Sequence, residues 1–160
     1  MSLASTGRRL GNEELQMMGL FENITKVPPK DCVVDTQYNR LIFVVDKGLA
    51  GLAVGKNGSK IRMLRDVFKR DVEVVEDGET IEELAKSTLY PAKIVQVEVK
   101  EEGGRKIVVA RAAPGQLGIA IGRQGRNAYR AKLLLSRYFG ISDLRVVEFN
   151  PGLAEPRNQP

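Results

Sequence analysis

Two glycine-bracketed tetrapeptides stand out as places where this 160-residue chain could do chemistry: Gly55-Lys56-Asn57-Gly58 and Gly122-Arg123-Gln124-Gly125. Each sets a cation and a side-chain amide between two residues without a Cβ. Glycines let a chain turn sharply and let a sugar-phosphate strand approach the backbone closely. A helix beginning at the second glycine would point its N–H groups and its positive end at such a strand. The alternative is a tight helix-to-helix turn that needs glycine for shape alone. Lys60, Arg62 and Arg126, just past the loops, would extend a positive track. A Walker A loop is excluded, because Gly51-Leu52-Ala53-Val54-Gly55-Lys56-Asn57 is one residue short and lacks the hydroxyl that would hold magnesium.

The loops belong to a longer repeat. Gly48, Gly51, Ala53, Gly55 and Gly58 recur as Gly115, Gly118, Ala120, Gly122 and Gly125, all at an offset of 67. The same offset pairs Ile61 with Ala128, Leu64 with Ala131 and Phe68 with Leu135. The next apolar stretch, from Val72, matches one from Leu144 at an offset of 72, so the second copy has gained five residues. Four glycines in register identify a duplicated module.

Periodicity supplies the elements that must position the loops. Branched residues at 31–36, 40–45 and 72–76 predict strands in the first copy. Stretches 93–100, 105–112 and 144–149 do so in the second. Small-residue helices are expected over 48–54 and 115–121, with Pro114 suited to the start of the latter. Longer amphipathic helices should follow each loop, ending at Phe139 in the second copy. Further helices are expected ahead of the strands, over 13–25 and 80–89. Each copy therefore reads α-β-β-α-α-β, an α+β class. The expected domains are 12–77 and 78–150, packed as one rigid unit by a short connector, with flexible tails at 1–11 and 151–160.

Charge is sorted along this frame. Residues 47–70 hold seven bases and one acid, and residues 122–138 hold five bases and no acid. The segment 71–104 between them carries ten acids and three bases. Two positive blocks separated by a negative one suit a polyanionic ligand, within a net charge of only +5. The chain has no His and no Trp, which removes a Ser-His-Asp triad, a histidine acid/base and any zinc site built from His and Cys. Its one cysteine, Cys32, lies in an apolar stretch and reads as a buried thiol, in keeping with a reducing compartment. No apolar run approaches the ~18 residues of a membrane span, and the N-terminus lacks a signal-peptide core. A cytoplasmic protein without catalysis, cofactor or membrane attachment is expected.

The loops, their charges and the α-β-β-α-α-β frame resemble two tandem KH domains of the prokaryotic, type II topology. The phrases Asn39-Arg40-Leu41-Ile42-Phe43-Val44-Val45 and Arg137-Tyr138-Phe139-Gly140-Ile141, with the first loop, are similar to the short, archaeal-type NusA transcription factors. The resemblance covers residues 12–150. It implies single-stranded RNA held with its backbone on Gly55, Lys56, Asn57, Gly58 and on Gly122, Arg123, Gln124, Gly125, and its bases in an adjoining groove. Lys60, Arg62 and Arg126 would extend the track. Leu52, Ile61 and Ile119 would either floor the groove or be plain core.

With aromatics at 6% and none beside the loops, base stacking should matter less than backbone clamping. The implied role lies in transcription elongation, termination or antitermination, by a monomer, with RNA polymerase or other transcription factors as candidate protein partners. Longer bacterial members place a polymerase-binding domain and an S1 domain ahead of the KH pair, and this chain is expected to lack both. Two other readings stay open: a KH protein of ribosome assembly or RNA turnover, and a protein-interaction module without RNA affinity.

Overall fold

The computed structural model describes residues 11–154. Of the tails expected at 1–11 and 151–160, residues 1–10 and 155–160 lie outside the described residues. The chain divides into two compact units, one through Asp77 and one from Gly78.

In the first unit, α1 (Asn12–Thr25) leads into β1 (Asp31–Asp35), β2 (Arg40–Val45), the short α2 (Ala50–Val54), α3 (Ser59–Phe68) and β3 (Asp71–Glu76). The second unit repeats the order with α4 (Ile81–Thr88), β4 (Ile94–Glu102), β5 (Arg105–Ala112), α5 (Leu117–Ile121), α6 (Arg126–Phe139) and β6 (Asp143–Glu148). A single turn, α7 (Pro151–Ala154), follows where a flexible tail is expected from the sequence. Its Gly152 N–H donates to the Asn150 side chain at 3.2 Å. Both short helices start later than expected, at Ala50 and Leu117. Pro114 therefore sits in the preceding turn, which is closed by Gln116 N–H donating to Ala113 O (2.9 Å).

Each unit has a three-stranded sheet, ordered β1-β2-β3 and β4-β5-β6. The first two strands of each form a hairpin, with Asp35 opposite Arg40 and Glu102 opposite Arg105. The last two strands run parallel, aligning Arg40 with Asp71 and Ile107 with Asp143. A parallel pair needs a long crossover. Here the crossover is the helix–loop–helix that carries the glycine loop, so the sheet fixes both ends of the loop's support.

The five extra residues of the second copy fall in two places. Helix α6 has 14 residues against 10 in α3, and the connector to the last strand is one residue longer. Helix α3 stops at Lys69 in the left-handed region (φ 59°), whereas α6 runs on to Gly140 (φ 68°), a position where glycine relieves the Cβ clash.

The cores differ in texture. The first stacks Phe21 on Phe43 (centroids 4.3 Å) and Phe43 on Phe68 (5.8 Å), with Leu41, Val45, Leu64 and Val72 buried around them. Cys32 is buried there, as its apolar setting implied. A core cluster of the second unit is built on Ala110, Ala112, Ala120 and Ala131 with Leu89 and Ile94. The first unit also holds a fully buried cation. Arg40 donates to Asp35 (2.6 Å) and to both oxygens of Glu73 (3.0 and 3.1 Å), and its guanidinium lies 5.1 Å from the Tyr38 ring centroid. Among the described residues, no helix is long and apolar enough to cross a membrane.

Candidate nucleic-acid interface

The two glycine loops adopt the same backbone shape. Gly55 has φ 83° and ψ 165°, and Gly122 has φ 81° and ψ 170°. This region is open essentially to glycine alone. Asn57 (φ 55°) and Gln124 (φ 56°) are left-handed, as are Gly58 (φ 74°) and Gly125 (φ 80°). Asn tolerates that region better than most side chains. Each loop closes on itself as a turn of 3₁₀ helix: Gly58 N–H donates to Gly55 O (3.0 Å) and Gly125 N–H to Gly122 O (3.1 Å). Those two amides are thereby used within the turn.

Lys56 and Arg123 sit at the apex, exposed; their carbonyls accept from Ser59 N–H and Arg126 N–H, but their side chains have no hydrogen bond or ion pair among the described residues. Asn57 and Gln124 are exposed beside them, while Gly55, Gly58, Gly122, Gly125 and Arg126 are half-buried. Lys60 is half-buried and Arg62 exposed, and both reach back to backbone carbonyls. The Lys60 ammonium donates to Thr25 O (3.0 Å) and Leu52 O (3.4 Å), and Arg62 Nη1 donates to Asn57 O (2.6 Å). Both hold the loop as well as charging it. Asn127, absent from the residues expected at the site, donates from Nδ2 to Ile119 O at 3.0 Å. Its only signal in the sequence is its place 67 residues after Lys60.

Other members of the basic blocks are also engaged. Arg65 pairs with Asp71 (3.0 Å) and, at the matching places, Lys132 with Asp143 (3.4 Å). The Leu144 N–H and, after it, the Lys132 ammonium hold the Asp143 carboxyl below the usual aspartate range. Arg130 is buried on α6 and donates to Thr88 O (3.0 and 2.6 Å) and Tyr90 O (3.3 Å), so it belongs to the fold rather than to the surface. The carboxylates of Glu76 and Glu148 accept from Ala50 N–H (3.2 Å) and Gly115 N–H (3.1 Å), tying each short helix or its approach to the last strand.

Leu52 and Ile119, on the short helices just before the loops, are 59% and 44% exposed, which rules out plain core for both. Ile61, by contrast, is buried in the first core. Each unit thus presents, on one ridge, an exposed apolar side chain, a glycine turn and an unpaired cation. The arrangement suits a ligand with a charged backbone and apolar faces.

Known proteins share this architecture. Residues 17–80 match the KH domain family, and residues 81–148 match the NusA-like second KH domain. A protein of Halobacterium salinarum named "Probable transcription termination protein NusA" is 35% identical over 138 residues, covering 86% of this chain and 97% of that one. A Methanocaldococcus jannaschii protein of the same name is 29% identical over 142 residues, covering 89% of this chain and 76% of its own length. Among solved structures, the crystal structure of APE1850 superposes with a TM-score of 0.78 at 38% identity, covering 85% of this chain and 99% of the other. With two KH domains in tandem and this likeness along most of its length, the chain belongs to the archaeal-type NusA family.

Proposed function

We propose that this protein is a non-catalytic, single-stranded RNA-binding factor of transcription, acting in elongation, termination or antitermination, with a clamp for the RNA backbone on each KH domain. The observation that carries the reading is the near-identical loop geometry in two units whose apical cations, Lys56 and Arg123, have no partner among the described residues. A cation kept in an exposed turn of fixed shape meets a phosphate without first breaking an internal ion pair. Asn57 and Gln124 add amide donors at the apex. Gly55, Gly58, Gly122 and Gly125 let the strand come close, and Lys60, Arg62 and Arg126 contribute field behind the turn. Leu52 and Ile119 offer apolar surface to the bases. The domains take 12–77 and 78–150, the molecule works as a cytoplasmic monomer, and its protein partner is RNA polymerase or another transcription factor.

The test is an anisotropy titration of labelled single-stranded RNA at several salt concentrations, beside duplex RNA and matched DNA. A variant with Lys56, Asn57, Arg123 and Gln124 all changed to Asp is titrated in parallel. Single-stranded RNA should bind best, with a log–log salt slope of about 0.7 for each phosphate that the protein neutralises. Lys56→Ala and Arg123→Ala should each lower the slope by about that amount. Undiminished binding by the folded four-Asp variant would reduce the loops to structural turns.

A further inference from the structure

Lys60 and Asn127 hold matching places in the two units, yet one is a long cation and the other a short amide. Each donates to the carbonyl eight residues before it, Lys60 to Leu52 O and Asn127 to Ile119 O. Those carbonyls lie in the last turns of five-residue helices, where a helix leaves its C=O groups without intrahelical partners. The side chain thus caps the helix before the loop from the helix after it. It also crosses the first glycine of the loop. A Cβ on Gly55 would lie 2.8 Å from Lys60 Cγ, and one on Gly122 would lie 2.7 Å from Asn127 Cγ. Glycine and brace fit together in both units.

The units part at the next hydrogen bond. Lys60 also donates to Thr25 O at the end of α1 (3.0 Å), whereas in the second unit the corresponding carbonyl, Thr88 O at the end of α4, is taken by Arg130. Thr25 and Thr88 mark the same place, for each hydroxyl donates to the carbonyl four residues earlier at 2.8 Å. One residue performs two jobs in the first unit, and two residues divide them in the second.

We infer that Lys60 and Asn127 are positioning residues that set the shape in which each loop meets RNA, and that only in the first unit is the loop tied through its brace to the preceding helix. The inference rests on the RNA reading above for its effect on affinity, but not for its effect on loop order.

Lys60→Met and Lys60→Asn remove the same charge, yet only Asn can cap Leu52 O as Asn127 caps Ile119 O. Both are compared in the full chain with the second loop disabled by Arg123→Asp and Gln124→Asp, using labelled oligouridylate. Lys60→Asn should bind roughly fivefold more tightly than Lys60→Met, at the same salt slope, the factor expected for one net hydrogen bond. Amide exchange at Gly58 should quicken in Lys60→Met and stay near the parent rate in Lys60→Asn. Both should melt below the parent, because neither can donate to Thr25 O as the lysine does.

In the second unit, with the first loop disabled by Lys56→Asp and Asn57→Asp, Asn127→Leu should weaken binding and quicken exchange at Gly125. Arg130→Met should lower the melting temperature while leaving that exchange unchanged. Equal behaviour of the two Lys60 variants in exchange and affinity, or loosening of the Gly125 turn by Arg130→Met as by Asn127→Leu, would overturn the inference. Absence of RNA binding by the parent chain would count against the RNA reading alone, since the exchange rates still decide the brace.

Discussion

At the scale of single residues, Gly55 and Gly122 show what the loop demands. A Cβ at either would stand 2.9 Å from the backbone nitrogen five residues on, at Lys60 or Asn127, and no rotamer change relieves a clash with backbone. The φ and ψ values add a second penalty, because side chains avoid that region. Gly55→Ala should therefore destabilise the protein by about 1–3 kcal/mol and weaken RNA binding, as thermal denaturation and anisotropy would report. Gly118 lies in α5 with no atom within 4 Å of its would-be Cβ and no positive φ. Gly118→Ala should leave the melting temperature unchanged or raise it, since alanine is the better helix former by about 1 kcal/mol at most. A G55A variant as stable as G118A would contradict the geometric argument. Both glycines are equally visible in the repeat, but only the backbone shows which one the turn requires.

At the scale of elements, the decisive hydrogen bonds are those by which the helix after the loop reaches the end of the helix that opens the module. The C-terminus of a helix carries partial negative charge and unpaired carbonyls, and a cation answers both. Arg130 does so for α4 with three hydrogen bonds to Thr88 O and Tyr90 O. Arg130→Met preserves most of the side chain's bulk and removes the donors. It should cost about 1.5–3 kcal/mol, the range for hydrogen bonds to a charged group. Denaturant titration, with faster amide exchange in α4, is the check; an unchanged midpoint would mean the carbonyls find other donors. The matching place on α3 is Met63, 54% exposed, so the first unit has no arginine at that position. Its cap comes from Lys60 instead. The order of the elements within each copy is legible from periodicity, as are the five extra residues of the second copy, though not the late starts of the short helices or the turn at Pro151–Ala154. Which helix end each cation meets is not, because those partners stand 35 and 42 residues apart in sequence.

At the scale of the whole molecule, charge is distributed more sparingly than a count along the chain suggests. Lys60, Arg62 and Arg130 direct donors to backbone carbonyls, and Arg65 and Lys132 face Asp71 and Asp143. The cations left at the loop apices are few and well placed. The same pairing governs the response to pH. Asp143 has its folded pKa depressed, chiefly by the Leu144 N–H, and exposed Glu102 is depressed by its paired hydrogen bonds to Arg145. Their contributions are present above the unfolded carboxylate values and are lost as pH falls through the folded ones. Lys30, raised mainly by its hydrogen bond with Asp77, contributes below its unfolded pKa and ceases to do so as pH rises through the folded value. With no histidine in the chain, no side chain of ordinary pKa titrates between roughly pH 5 and pH 8. The melting temperature should be flat across that window and should fall as carboxylates protonate below about pH 4. The carboxyl resonance of Asp143 should titrate below the ordinary aspartate midpoint; a midpoint at or above it would contradict the pairing.

The duplication, the α-β-β-α-α-β order and the two loops can be read from the sequence because each is written locally, in glycine spacing, in the period of apolar residues and in the types of side chain between them. Residues such as Leu52 and Ile119 cannot be assigned in that way, since an apolar side chain on a short helix faces core or solvent according to what packs behind it. The division of labour among Lys60, Asn127 and Arg130 is likewise decided only in three dimensions. A charge on a helix shows that a polar interaction is available, but the fold alone determines whether its partner is a carbonyl at another helix's end, a carboxylate on a strand or solvent around an open loop.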